Sequence, residues 1–308
     1  MNSEYLPELP PRMGDIVNRA RELPPMRVAV VDAAEAHVLA GAHEAARAGL
    51  AAPVLIGRRD DIERVWADLG LGGTSYPIIE AVSEAEAAEI GVAQVLDGKA
   101  DALMKGWVHT DVLLHPVLSH LRTGRRVSHV FVTELPTYHK LLFVTDAAVN
   151  IAPDLMTKAA ITQNAIDLAR LLGIERPKVA ALSAVEVVKP AIASTIDAAC
   201  LSKMASRGQI MHAVVDGPLA FDNAISLEAA RIKHIDSDVA GDVDILLVPD
   251  LDSGNILAKD LEYLAKACMA GIVLGARVPI VLPSRSDPPS ARLASAAIAA
   301  LVHHGWKE

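Results

Sequence analysis

Val278-Pro-Ile-Val-Leu-Pro-Ser-Arg-Ser-Asp-Pro-Pro-Ser-Ala-Arg292 is the stretch on which the reading of this chain turns. Residues 278–282 form an apolar, β-branched run that reads as a buried strand. Ser284-Arg285-Ser286-Asp287 is a polar loop, and after Pro288-Pro289 an Ala-rich pattern over residues 290–302 reads as a helix. In an open α/β sheet, ligands bind beyond the carboxyl ends of strands, and a helix start there attracts anions. A hydroxyl, a guanidinium and a carboxylate at that corner suit holding a phosphate and moving a proton. The same residues also permit a plainer reading, because Asp287 before Pro288 has the form of a helix N-cap with proline at the first helical position.

Working outward, strand-like runs at residues 28–31, 53–57, 78–79 and 102–104 alternate with helical patterns at 35–48, 59–69 and 83–97. That alternation predicts a parallel sheet with helices on its faces. After Arg126 the pattern changes to two strands, 127–133 and 141–145, joined by a Pro-containing turn, which reads as a hairpin at a domain boundary. Helices are expected at 155–172, 196–207, 225–235 and 256–269, and strands at 179–182, 213–215, 245–248, 272–274 and 278–282. The fold class is therefore α/β, with two domains and largely parallel sheets. Residues 1–126 with 272–308 form the first domain and residues 127–271 the second. A cleft between two such domains is the expected place for a small-molecule site.

Of the 308 residues, 52% are hydrophobic and only 3% aromatic, so Ala, Val, Leu and Ile must build the core. Buried parallel strands read as apolar runs of this kind. A net charge of −9 argues against general nucleic-acid binding, although a local basic pocket for a small anion remains compatible with it. Cys200 and Cys268 are the only cysteines, too few for a disulfide framework or a Cys-rich zinc site, and both read as buried thiols in helix-like surroundings. The first residues lack a signal-peptide pattern, and no apolar run approaches the roughly 20 residues that span a bilayer. The protein is expected in the cytoplasm, without a membrane partner.

Several other strand ends carry polar groups. Lys105 in Met104-Lys105-Gly106 could meet a phosphate, with Gly106 admitting a ligand to the backbone; a solvated lysine beside a turn is the plain alternative. His109 follows, and alone it reads equally as a structural histidine. Leu121-Arg122-Thr-Gly-Arg125-Arg126 gathers three guanidiniums around a turn, which suits a phosphate ligand because arginine binds it bidentately. Asp146 to Asn150 ends one strand. Asp216 to Asn223 ends another, with Gly217-Pro218 expected to make a sharp turn and Asp222 or Asn223 to cap the next helix. Pro249-Asp250-Leu-Asp252-Ser253-Gly254-Asn255 resembles a carboxylate metal site only superficially, since calcium-loop spacing is missing; Asp252 or Ser253 is expected to cap a helix, and no metal is expected. P-loop, dinucleotide-fingerprint, nucleophile-elbow and zinc-protease motifs are all missing from the sequence.

Taken in order, Ala102-Leu-Met-Lys-Gly106 with His109-Thr110, Leu121-Arg-Thr-Gly124, Thr145-Asp-Ala-Ala-Val-Asn150, Asp216-Gly-Pro-Leu-Ala-Phe-Asp-Asn-Ala224, Pro249-Asp-Leu-Asp-Ser-Gly-Asn255 and Ser284-Arg-Ser-Asp287 resemble the phosphate acetyltransferase and phosphate butyryltransferase family. The resemblance runs from about Val28 to Val302. It implies an acyltransferase that moves a short acyl group, acetyl first with propionyl or butyryl as alternatives, between coenzyme A and inorganic phosphate. Acyl-CoA, phosphate and acyl phosphate are then the partners. The resemblance further implies an isocitrate/isopropylmalate dehydrogenase-like architecture, a homodimer, and no bound cofactor, coenzyme A being a substrate. It assigns Ser284 and Arg285 to substrate binding and Asp287 to the base, with Lys105, His109, Arg122, Arg125, Asn150, Asp222 and Asn223 as substrate- and phosphate-binding candidates. The compact Ser-Arg-x-Asp spacing is closer to the butyryl-type branch. Where acetyl-type members carry a second arginine after the His-Thr pair, this chain has His115, so an arginine of the 122–126 turn is expected to supply the charge.

Two other readings compete. A metal- and NAD-dependent 2-hydroxy acid oxidoreductase on the same architecture would need a nicotinamide site and an aspartate cluster. A non-catalytic CoA- or phosphate-binding protein would have no use for a base at Asp287.

Overall fold

Short apolar runs rich in Val, Ile and Leu form strands, and the Ala-rich stretches between them form helices. The computed structural model describes residues 7–71, 76–283 and 287–306. The chain divides into two compact units, residues 1–127 with 270–308 and residues 128–269.

The first unit opens with α1 (Pro11–Arg21), β1 (Met26–Val31), α2 (Ala36–Arg47), β2 (Ala51–Gly57), α3 (Arg59–Asp68), β3 (Ile78–Glu80), α4 (Glu84–Leu96), β4 (Ala102–Lys105) and α5 (Thr110–His120). The second unit holds β5 (Ser128–Glu134), β6 (Leu142–Thr145), α6 (Leu155–Leu171), β7 (Lys178–Leu182), α7 (Ala193–Ser206), β8 (Val214–Leu219), α8 (Phe221–Ile225), α9 (Leu227–Ile232), β9 (Ile245–Leu247) and α10 (Leu251–Tyr263). The chain returns through β10 (Cys268–Leu274), β11 (Ile280–Val281) and α11 (Pro289–Gly305).

In the first unit the strand order is β3-β2-β1-β4-β11-β10. All neighbours are parallel except β10 and β11. In the second the order is β5-β6-β9-β7-β8, parallel except for the β5–β6 hairpin. The α/β class with largely parallel sheets is thus the one the sequence indicated. Every residue of α11 from Ala291 to Val302 is buried, and the helix packs against α1, α2 and β11. Its alanines let three elements approach one axis closely, which longer side chains would prevent. In the second unit Leu142, Val144, Leu219, Val243 and Leu246 lead a core of small aliphatic residues.

Several local expectations give way. The chain from Thr110 to His120 is helical, although Pro116 cannot donate to Val112; Leu113, Leu114 and Val117 bury the face that holds it. Gly217-Pro218 lies inside β8 rather than in a turn, where β7 and β8 shift register. The single helix expected over 225–235 is two, because Ser226 is extended and accepts from Ala229 N to start α9. The cap is therefore Ser226, not Asp222 or Asn223, which lie inside α8. Asp250, not Asp252 or Ser253, caps α10 and starts it five residues earlier than the apolar pattern suggested (Leu251 instead of residue 256). Cys268 begins a strand rather than continuing a helix, and both cysteines are half-buried. Among the described residues no helix is long and apolar enough to cross a membrane.

Candidate active site

In the first unit, strand register decides which side chains emerge together. Val31 pairs with Lys105, and Val281 pairs with Met104. The carboxyl ends of β1, β4 and β11 therefore share one edge, and the chain leaves β11 there toward residues 284–287. Ser284 and Arg285 lie outside the described residues.

Lys105 is buried, with Nζ 3.4 Å from the Gly106 carbonyl. The turn after it is sewn to β1, as Gly106 N donates to Val31 O and Trp107 N to Asp32 O, each at 2.8 Å. A Cβ on residue 106 would run into the carbonyl oxygens of Val31 and Asp32, so only glycine fits. His109 sits at the N-cap position of α5, and its backbone N (2.9 Å) and Nδ1 (2.8 Å) both bond to Glu84 Oε2. It is thereby an anchor between α4 and α5, the structural role the sequence also allowed, with Nε2 as the ring atom left for ligand contact.

Asp287 does not cap α11. Pro288 occupies the N-cap position and Pro289 opens the helix. The Asp287 backbone carbonyl accepts from Arg292 Nε at 3.3 Å. Arg292 was not marked by the sequence reading, yet it is 4% exposed in an otherwise Ala-, Leu- and Ile-rich helix. Burial pulls its guanidinium below the ordinary value, opposed by the carboxylates of Asp287 and Glu35. A lone arginine on a helix face that is buried all round was the available signal.

In the second unit, two motifs far apart in sequence pack as one structure. Asp146, at the end of β6, is buried. Its Oδ1 accepts from Ala148 N and Val149 N at 3.0 Å, and its Oδ2 from Asn150 N at 3.2 Å and Asn150 Nδ2 at 2.6 Å. Asn150 thus commits an amide hydrogen inward, to the loop itself. The start of α10 closes over this loop: Asn255 Nδ2 donates to Ala147 O at 3.3 Å, and a Cβ on Gly254 would lie 2.7 Å from Val248 Cγ2 and 2.9 Å from Asp146 O. Asp146→Asn replaces a carboxylate that receives four donors with an amide that must turn two hydrogens into them. We expect a loss of about 1–3 kcal/mol in unfolding free energy; an unchanged urea midpoint would remove the carboxylate as the loop's support.

Across the hairpin from this loop stands His129, fully buried, its two ring nitrogens without hydrogen-bond partners among the described residues. Burial holds it neutral by lowering its pKa to about 4, partly countered by the Asp146 carboxylate. Asp222 and Asn223 serve other ends. Lys233 Nζ bonds Asp222 and Glu186, both at 3.2 Å; burial alone would raise the Asp222 pKa, but these donors hold it below the ordinary value. Asn223 is buried, with Nδ2 3.4 Å from Glu186 Oε2.

A hollow of about 660 Å³ opens at the carboxyl ends of β7, β8 and β9, between walls that include Leu182, Phe221, Val248 and Leu257. Beside Asp250 and Ser253, its polar groups include the Lys158–Asp197 ion pair (2.7 Å) and the Ser183–Ser194 hydroxyl pair (2.8 Å). None of the four paired residues was marked by the sequence reading, although a lysine on the buried face of α6 is an unusual choice.

Arg122 and Arg125 are not brought to Lys105. The 11 residues of α5 carry the chain back across the sheet. Arg122 then pairs with Ala276 in an antiparallel bridge, just before β11 begins. The arginine turn stands at the amino edge of the parallel strands, Lys105 and Asp287 at the carboxyl edge. The expectation that it supplies the phosphate charge beside Lys105 is corrected by this topology. Among the described residues no group of three or more His, Cys, Asp or Glu is placed to hold a metal ion.

A buried lysine, a carboxylate beside a helix start and loops closed by backbone donors, all at strand carboxyl ends, fit an α/β enzyme that handles a small anionic substrate. The comparisons specify which. A family model described as phosphate acetyl/butaryl transferase matches residues 72–300. Over 298 residues the chain is 50% identical to a phosphate acetyltransferase of Rhizobium meliloti, covering 96% of this chain and 94% of that one. Over 291 residues it is 41% identical to a phosphate butyryltransferase of Clostridium acetobutylicum, covering 94% and 97%. The crystal structure of a branched-chain phosphotransacylase from Enterococcus faecalis matches with a TM-score of 0.79 at 32% identity, over 91% of this chain and 99% of that one. The chain belongs to the phosphate acetyl/butyryl transferase family.

Proposed function

We propose that this protein transfers a short acyl group reversibly between coenzyme A and inorganic phosphate, giving acyl phosphate and free CoA. The observation that carries the reading is its likeness to named phosphate acyltransferases along nearly the whole length of both chains. Acetyl is placed first because the acetyltransferase relative is more similar than the butyryltransferase one, 50% against 41%.

In the CoA-consuming direction Asp287 takes the thiol proton, sulfur attacks the acyl phosphate carbonyl, and the carbon–oxygen bond to phosphate breaks. In the other direction a phosphate oxygen attacks the thioester, the carbon–sulfur bond breaks, and the proton returns from Asp287 to the leaving thiolate. Lys105 neutralises the phosphate. Ser284 and Arg285, adjacent to Asp287 in sequence, bind substrate. We take the two compact units as two domains, and the enzyme as a cytoplasmic homodimer that works without a bound cofactor.

Phosphate-dependent thiol release from acetyl-, propionyl- and butyryl-CoA tests the function, with the highest kcat/KM expected for acetyl-CoA. Failure of all three to release thiol would overturn the reading. Lys105→Met should raise KM for phosphate at least tenfold and disturb KM for acyl-CoA much less. Equal effects on both KM values would take Lys105 out of the phosphate site.

A further inference from the structure

The reaction leaves the arginine turn at the amino edge of the first unit without a task. Arg122, Thr123, Gly124, Arg125 and Arg277 line a hollow of about 670 Å³, a size within the range of small-molecule sites. Its frame is fixed by backbone. Arg122 lies opposite Ala276 in the antiparallel bridge, and Arg277 N donates to Leu121 O at 2.9 Å. Thr123 Oγ1 donates to Gly275 O at 2.8 Å and accepts from Arg125 N at 3.0 Å. Arg125 is laid over Trp306, 4.7 Å from the ring centroid, which orders a third guanidinium.

Charge is the unusual feature. The chain carries 38 acidic and 29 basic residues, yet among the described residues no carboxylate lines this hollow. Arg122 and Arg277 enter no ion pair among the described residues. The like charges of Arg122 and Arg277 repel when held at one hollow, and a bound polyanion relieves that repulsion. Three guanidinium forks spread along a hollow of this volume suit a chain of two or three phosphates.

We propose that this hollow is a second anion site, separate from the acyl-transfer centre, that takes a polyphosphate group, free or as part of a nucleotide. Calorimetry on the full chain with saturating CoA tests it, titrating tripolyphosphate and magnesium-free ATP separately. One-to-one binding of at least one of them is expected, weakened at least tenfold in Arg122→Ala/Arg277→Ala and weakened by added salt. The double lysine variant, which keeps charge but not the forks, should fall between wild type and the alanine variant. Both arginines are exposed, so circular dichroism should show the variants folded. Comparable affinity for the two ligands assigns the contact to phosphate alone, and tighter ATP binding adds the base; either supports the site. No binding of either, equal binding by the alanine variant, or loss of binding when CoA is present overturns it.

Discussion

Asp287→Asn is expected to lower kcat by about 10²- to 10⁴-fold, the range that a positioned general base commands. A thiol of pKa about 8.5 is mostly protonated at neutral pH, and only its thiolate attacks well. The group that removes the proton therefore controls the CoA-consuming step. Asp287 admits two duties, base or helix cap, and the structure gives the N-cap position to its neighbour. Pro288 holds the N-cap position, and the Asp287 carbonyl accepts a bond from Arg292 of the helix. Asparagine preserves that carbonyl and nearly the same shape. Because asparagine is itself a good cap, Asp287→Ala is the variant that separates the duties. A lost cap would cost about 1 kcal/mol, or about 2–4 °C in Tm for a chain of this size. We expect no such shift with alanine and a loss of turnover with both. Near-normal kcat in Asp287→Asn would sink the assignment.

The parts of this molecule that could be read early are those governed by local pattern. Val28 to Val31 and Ala102 to Met104 are continuous apolar runs because parallel central strands are buried on both faces. Lys105 stood out as the polar end of such a run, and its burial at a shared strand edge fits that reading. What was not legible depends on tertiary context. Residues 110–120 show no helical pattern that marks them in sequence, yet burial of Leu113 and Val117 holds a helix there around Pro116. Arg122 and Arg125 belong to a motif that follows Lys105 by fewer than 25 residues, but α5 delivers them to the opposite edge of the strands. Counting the helix would have predicted that reversal, had the helix been recognised. Asn150 was read as a ligand donor from its place at a strand end, whereas Asp146 four residues earlier receives its amide. His129 drew no attention, since a histidine within a strand pattern carries no sign that both its nitrogens will be enclosed.

His129 gives rise to the second large effect, a loss of stability on mild acidification. With a folded pKa of about 4 and an unfolded one of about 6.5, the native state binds fewer protons than the unfolded state between those values. Stability therefore rises with pH across that window: it is full above about pH 6.5 and falls as pH drops toward 4. A shift of that size corresponds to about 3 kcal/mol at the acid end. His129→Leu, of similar volume, should flatten this slope. It should also stabilise the protein at pH 7.5 by about 1–3 kcal/mol, by removing two buried nitrogens that have no partner among the described residues. The readout matters, because Trp66, Trp107 and Trp306 all belong to the first unit while His129 belongs to the second. Urea unfolding followed by far-UV circular dichroism at pH 7.5 and 5 reports both. An equal acid slope in the variant would mean that another group titrates. A stabilised His129→Leu protein that turns over normally would leave the imidazole without a use in catalysis. A stabilised variant with reduced kcat would mean that the chain keeps a destabilising neutral ring against Asp146 because the loop from Asp146 to Asn150 needs it in place.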